Sequence, residues 1–235
     1  MLSTHLRRLS FDPDWPGLRV WNLFEALRRY QNLLGEYVPL MQDQALVRWR
    51  AAEDRRPEPE SIEEIEERNE ELDVTLLHDI EANFYGAFVI ALVAALESSL
   101  TNTCEYVKRR QNSRLSLSDL REPSSVKRAL LYLEVVSRRP VSVSETRLRE
   151  LRNLQNVRNA LAHANGHMLE QRAERVRELE SFAAGDSCIV IVDSWLVVQP
   201  AMLEYGMRCT SGLLTDLLVQ LDRQYPSPGD DEVGK

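Results

Sequence analysis

Arg158, Asn159 and His163 are the residues whose types and spacing are best suited to chemistry in this sequence. A histidine can take up and release a proton near neutral pH. An arginine keeps its charge under the same conditions, and its planar fork matches the oxygens of a phosphate. Asn159 precedes His163 by about one helical turn, so its amide can orient the imidazole or contact a phosphate. The three side chains are therefore suited to proton transfer beside a bound phosphate.

The segment 148–166, which carries these residues, has the pattern of an amphipathic helix. Ser142 and Glu145 fit an S-x-x-E capping box before it, and Asn165-Gly166 fits a left-handed stop after it. Apolar residues recur at steps of three and four along it: Leu148, Leu151, Leu154, Val157, Leu161 and Ala164. The pattern predicts a helix that buries one leucine-rich stripe.

The helical angles place the polar residues relative to that stripe. At about 100° per residue, His163 lies about 40° from Asn159 and roughly opposite the middle of the leucine stripe, whereas Arg158 lies at the edge of the stripe. We therefore expect His163 and Asn159 to face a cleft or a second subunit.

The pattern Arg-Asn-x-x-x-His near the end of such a helix resembles the R-x(4–6)-H signature of the HEPN superfamily of helical domains. Ala162 is the small residue often seen before the histidine of that signature. The apolar run Tyr85 to Leu92, with Leu96 and Glu97, looks like the first core helix of these domains. The resemblance covers residues 76–225, and residues 1–73 have no counterpart in it.

This resemblance implies a metal-independent endoribonuclease without a cofactor, as in bacterial toxins and phage-defence effectors. Arg158 and His163 would be catalytic, with Asn159 supporting them, and the 2′-hydroxyl of RNA would attack the neighbouring phosphate. One chain supplies one such histidine, so an acid and base pair needs water or a second subunit. Members of the family are typically homodimers whose two motifs face one cleft, and the resemblance also implies an antitoxin or a defence-system partner protein.

Other interpretations of the same residues stay open. Arg158 can pair with a carboxylate such as Glu97 or Glu134, and His163 can stabilise the C-terminus of its helix as a cation. Glu97, an acid within an apolar helix, fits a supporting role as a buried partner of an arginine better than a catalytic one. A non-catalytic interaction or assembly module with the HEPN fold is therefore the alternative to the enzyme.

Arginines gather around the motif helix, and Arg149 and Arg152 are the candidates for binding an RNA substrate. The same arginines can instead balance Glu145 and Glu150 on the helix surface. The net charge of −8 argues against bulk electrostatic coating of nucleic acid and leaves room for a local basic site.

Several other site classes lack their sequence signatures. His163 and His167 are separated by the helix stop, and no H-E-x-x-H or neighbouring cysteine completes a metal site. The three scattered cysteines form no C-x-x-C pair, and neither a G-x-S-x-G elbow nor a glycine-rich phosphate loop is present. We therefore expect no metal and no nucleotide-loop chemistry.

The whole chain is expected to be an all-α, HEPN-like antiparallel helical bundle with a small β-hairpin near the C-terminus. Residues 1–73 are predicted to form an N-terminal arm and a helical extension, residues 74–225 the HEPN-like domain, and residues 226–235 a disordered tail. Phe11 and Trp15 are expected to pin the arm onto the body. The pattern also predicts a long helical region from Ser61 to Arg110 and a helix from about Met168 to Phe182. The apolar run 84–96 is too short to cross a bilayer, and the N-terminus lacks a signal-peptide core. A cytoplasmic protein without a membrane partner is expected.

Overall fold

The computed structural model describes residues 14–73 and 80–225, which are mostly helical. The predicted tail at 226–235 and Phe11 of the predicted arm lie outside these residues. The described helices are α1 (Gly17–Glu53), α2 (Ile62–Asp73), α3 (Asn83–Arg110), α4 (Ser125–Ser137), α5 (Glu145–Ala164), α6 (Ala173–Gly185) and α7 (Ala201–Gln224). The strands are β1 (Ile189–Val192) and β2 (Trp195–Val198). The predicted helical character and the C-terminal hairpin are both confirmed.

The described residues divide into two compact units. The first unit contains 14–27, 92–151 and 208–225, and the second contains 28–73, 80–91 and 152–207. The long helices α1, α3, α5 and α7 each contribute residues to both units. The predicted domain boundary after residue 73 stays a prediction, because residues 74–79 lie outside the described chain.

The first unit is closed by aromatic and polar contacts around a leucine-rich interior. Trp15 is buried and meets the edge of Tyr106 at a ring distance of 5.3 Å, as expected for an arm that is pinned to the body. Arg147 Nη2 lies 3.1 Å from Asp216 Oδ2, which ties α5 to α7. Each fully buried leucine of this interior contributes about 2 kcal/mol by leaving water: Leu96, Leu100, Leu133, Leu213 and Leu217.

In the second unit, α1 packs along α3. Tyr30 meets Phe88 at a ring distance of 5.6 Å, and Gln42 Nε2 donates to Glu81 Oε1 at 2.8 Å. The apolar residues that α1 buries are spaced along one face, where they include Leu34 and Val38.

The hairpin has the geometry that its sequence predicts. β1 and β2 pair antiparallel, with Val192 opposite Trp195 and Ile189 opposite Val198. Both turn residues have positive φ, 48° at Asp193 and 69° at Ser194, which is the two-residue turn that matches the twist of a hairpin.

Two predicted helical segments have different bounds in the structure. The long helical region expected from Ser61 to Arg110 contains two helices, α2 and α3, with residues 74–79 between them not described. The helix expected from Met168 to Phe182 begins later, because Met168–Glu170 forms a separate 3-10 turn and α6 starts at Ala173. Pattern alone did not separate these neighbouring elements.

The helical segment Ile80–Arg110 is long and apolar enough to span a membrane by composition, with a mean hydropathy of 1.6. The 18-residue window of this segment that has this mean hydropathy is 56% buried inside the protein. Phe88, Leu92 and Leu96 on one face are fully buried, as in the core helix of a globular protein. The expectation of a core helix is therefore supported.

Candidate functional site

The start of the motif helix α5 differs from the predicted capping box. Ser144, not Ser142, precedes the first helical residue, and its Oγ accepts a hydrogen bond from Arg147 N at 3.3 Å. Ser142 instead binds Gln220 through its backbone, donating to Oε1 and accepting from Nε2, both at 2.9 Å. The predicted N-cap was therefore wrong by two residues, since Ser144 caps the helix and the backbone of Ser142 is paired with Gln220.

The body of α5 is fixed by its apolar stripe. Leu151, Leu154, Val157 and Ala160 are buried to 1% exposure or less. Near the C-terminal end, Leu161 packs against Gly86 of α3, where a side chain on residue 86 would reach van der Waals contact with the leucine. The helix is therefore held on the face opposite its polar residues.

The predicted catalytic residues occupy two different faces of α5. His163 is exposed and Asn159 is half-buried, and both lie on the side away from the buried leucines. Arg158 is half-buried and lies about 140° from His163 around the helix axis. The helix alone thus brings Asn159 and His163 together and leaves Arg158 at the edge of the buried stripe.

Arg152, Asn156, Asn159 and His163 follow one line along α5, and we call these four residues the polar stripe. Their helical angles fall within about 60° of one another. Arg152, one of the predicted substrate-binding residues, is exposed on this line. Arg149 is exposed one turn before it, so both predicted arginines are accessible to a ligand.

The polar stripe continues onto the next helix, α6. Asn156 Nδ2 donates to Glu178 Oε2 at 2.5 Å, and Arg152 Nη1 lies 4.0 Å from Glu178 Oε1. Only eight residues separate the end of α5 from the start of α6, so the N-terminal turn of α6 lies toward the C-terminal end of α5. The face of α6 that carries Glu178 therefore borders the polar stripe.

Arg175 lies on the same helix as Glu178, and the sequence pattern did not single it out. It precedes Glu178 by three residues, so it shares the face of α6 that borders the polar stripe and lies one turn nearer to His163. It is half-buried, and its Nη1 donates to Gln171 Oε1 at 2.8 Å. The spacing of the polar stripe is readable from the sequence, but the side of α6 that faces it is not.

The hairpin anchors the end of α5 that carries His163. Asn165 and Gly166 have φ values of 47° and 86°, as predicted for a left-handed stop. Leu196 N of β2 donates to Gly166 O at 2.9 Å. His167 packs edge-on against Trp195 at a ring distance of 4.7 Å. His163 therefore projects from a helix end that the hairpin holds by a hydrogen bond and a ring contact.

We expect Gly166→Ala to lower the free energy of unfolding by about 1–3 kcal/mol. Alanine at this position would have to keep the positive φ of Gly166, which strains a residue with a side chain. Its Cβ would also lie 3.1 Å from Leu196 O. The matched control is Gly35→Ala within α1, where a Cβ meets nothing within 4 Å. That control should stabilise the protein by about 0.5–1 kcal/mol. Urea unfolding measures the free energy of unfolding of both variants. Equal changes in the two would contradict the role of Gly166 in anchoring the end of α5.

Glu97 lies on α3 and is half-buried. Its Oε1 accepts a hydrogen bond from Ser125 Oγ at 2.7 Å, at the first residue of α4. This contact connects two helices of the first unit and gives Glu97 a structural role there.

The arrangement of α5 and α6 suits acid–base chemistry on a phosphate, with an exposed imidazole, a neighbouring amide and arginines along two adjoining faces.

Burial raises the pKa of the Cys104 thiol to about 12, so this thiol is protonated at neutral pH and is a poor nucleophile. Within 14–73 and 80–225, no group of three or more histidine, cysteine or carboxylate side chains is placed to hold a metal ion.

Comparison with protein-family models, curated proteins and solved structures finds no match for this chain.

Proposed function

We propose that this protein is a metal-independent endoribonuclease of the HEPN type, acting in the cytoplasm as a toxin or phage-defence effector. The observation that carries the proposal is the exposed His163 at the anchored end of α5, with Asn159 one turn before it and Arg158 next to Asn159. No metal or cofactor takes part.

In the proposed reaction, a base removes the proton of the RNA 2′-hydroxyl, and the 2′-oxygen attacks the adjacent phosphorus. The bond from phosphorus to the 5′-oxygen breaks, and an acid protonates that leaving oxygen. His163 performs one of these proton transfers, while Arg158 stabilises the negative charge that develops on the phosphoryl oxygens. The products are a 2′,3′-cyclic phosphate and a 5′-hydroxyl.

A second copy of the chain supplies the other histidine in this proposal, so that one imidazole serves as base and the other as acid. Water takes the second role if the chain acts alone. We also propose that an antitoxin or a defence-system partner restrains the activity, since an unrestrained ribonuclease would harm its own cell.

Incubation of the purified protein with a mixed RNA pool in excess EDTA tests the proposal. We expect internal cleavage at an unchanged rate with and without the chelator. Intact RNA across all substrates, or cleavage that appears only after addition of divalent metal, would contradict a metal-independent ribonuclease.

Arg175 should contribute to RNA binding because it borders the polar stripe. We expect Arg175→Ala to raise KM about three- to tenfold. The slope of log binding affinity against log salt concentration should also become shallower by about the contribution of one phosphate contact. The matched control is Arg177→Ala on the same helix, whose Nε donates to Ala173 O. Arg177 lies about 160° from Arg175 around α6, so its loss should change KM less than twofold. Equal effects of the two variants would remove Arg175 from the site.

The alternative function is a non-catalytic interaction module, and the surface of α2 favours it. Glu63, Glu66, Glu67 and Glu70 are all exposed on this helix. Arg68 binds Glu64 and Glu53, and Arg56 Nη1 lies 2.9 Å from Glu71 Oε2, so α2 is held to the end of α1 by ion pairs. Binding of a basic partner together with the absence of cleavage would favour this alternative.

A further inference from the structure

Helix α1 carries a second apolar face in addition to the one it buries. Leu33, Tyr37, Leu40 and Val47 are exposed by 49%, 56%, 52% and 65%, respectively. Their helical angles centre about 120° from those of the buried Leu27, Leu34 and Val38. Side chains of this size are ordinarily packed when they recur along one face, so this face is suited to a partner.

The exposed face of α1 repeats with the spacing of a coiled-coil seam. Its residues alternate at steps of four and three: Leu33, Tyr37, Leu40, Gln44, Val47 and Ala51. We call these six residues the α1 seam. In heptad terms Leu33, Leu40 and Val47 occupy d positions, and Gln44 is a single polar residue at an a position. A polar residue at one a position fixes register and the number of strands in parallel coiled coils.

The size of the seam fits a pair of identical helices. Four large side chains, each about half exposed, leave roughly 400 Å² of apolar surface, which is within the range of about 300–600 Å² for the largest apolar patch on a typical monomer, a patch that is often functional. A standard interface buries about 800 Å² on each partner, so the flanking side chains of α1 must supply about half. Met41 and Arg48, both exposed beside the seam, are placed to do so.

Charges beside the seam distinguish the possible alignments of two copies. In a parallel, in-register pair, Asp43 of one copy faces Arg48 of the other, and symmetry makes this contact twice. In the antiparallel pair centred on the seam, Arg29 faces Arg50 and Glu36 faces Asp43, so like charges oppose each other. All five side chains are exposed.

We propose that the α1 seam packs in parallel and in register against the α1 seam of a second copy of this chain. The inference does not depend on RNA cleavage, because its residues lie on α1 and its measurements are of association. Failure of the ribonuclease proposal would leave it standing, and the reverse also holds.

Analytical ultracentrifugation of the full chain at micromolar concentration tests the proposal, and we expect a dimer. Leu40→Asp should raise the dissociation constant at least about 30-fold, because a carboxylate would then face its counterpart in the seam. The matched control is Leu169→Asp on the 3-10 turn, where the leucine is 77% exposed outside α1, and it should leave association unchanged. Circular dichroism checks that both variants are folded.

Cysteine cross-linking tests the parallel register. Gln44→Cys should form a disulfide-linked dimer on mild oxidation, because the two introduced thiols face each other. Arg28→Cys lies away from the seam on the same helix and should stay monomeric on a non-reducing gel. The native cysteines, Cys104, Cys188 and Cys209, are buried and do not compete. A monomer at about 100 μM, a dimer that ignores Leu40→Asp, or no cross-link from Gln44→Cys would each overturn the proposal.

Discussion

Replacement of His163 by alanine is expected to reduce RNA cleavage by at least about a hundredfold, since a positioned acid or base contributes about 10²–10⁴ to the rate of such a reaction. The imidazole is exposed at the end of α5, so its removal leaves the buried leucine stripe intact. We therefore expect the melting temperature to change by less than about 2 °C. Single-turnover cleavage and thermal unfolding of the same preparation provide the two measurements.

The matched control for this variant is Thr146→Ala, at an exposed position in the first turn of the same helix. It should cleave RNA at the wild-type rate. If His163→Ala retains more than about a tenth of the activity, His163 does not perform a proton transfer, and the assignment of this residue is wrong.

Replacement of Arg158 by alanine is the second large effect, with an expected loss of about 10²–10³ in kcat. Its guanidinium is expected to stabilise charge that develops only in the transition state, so KM should change less than kcat. Arg158→Lys should recover part of the rate, because an ammonium supplies the charge without the two-pronged geometry.

The half-buried position of Arg158 requires a control for folding. Urea unfolding of Arg158→Ala and Arg158→Lys separates a loss of chemistry from a loss of structure. Loss of activity that parallels the loss of unfolding free energy in both variants would assign Arg158 to the fold instead of the reaction. A fully active and stable Arg158→Ala would remove it from both roles.

The end of the motif helix could be predicted because its signals are local. The apolar period of α5 and the pair Asn165-Gly166 specify the helix and its stop within about 20 residues, and the structure confirms both. The start of the helix was predicted two residues too early, at Ser142, whereas Ser144 is the residue that caps it. The backbone of Ser142 forms hydrogen bonds with the side chain of Gln220, 78 residues away. A contact between residues so far apart in the chain cannot be predicted from the segment itself.

The surroundings of the motif could not be predicted for a similar reason. The polar stripe of α5 is visible in the sequence, but the face of α6 that meets it is shown by the contacts of Glu178 with Asn156 and Arg152, and Arg175 shares that face by its spacing. Helix α1 poses the same problem, since it has two apolar faces. Packing of Tyr30 on Phe88 and burial of Val38 determine which face lies inward.

The chemistry at His163 is tested most directly by the ends of the cleaved RNA. An RNA oligonucleotide of defined sequence is incubated with the wild-type protein in EDTA, and the same sequence with 2′-O-methyl groups is incubated in parallel. Mass spectrometry then determines the masses of the fragments. We expect 2′,3′-cyclic phosphate and 5′-hydroxyl ends from the RNA, and no cleavage of the methylated copy, because the attacking hydroxyl is blocked. Fragments with 3′-hydroxyl and 5′-phosphate ends, or cleavage of the methylated copy, would contradict attack by the 2′-hydroxyl.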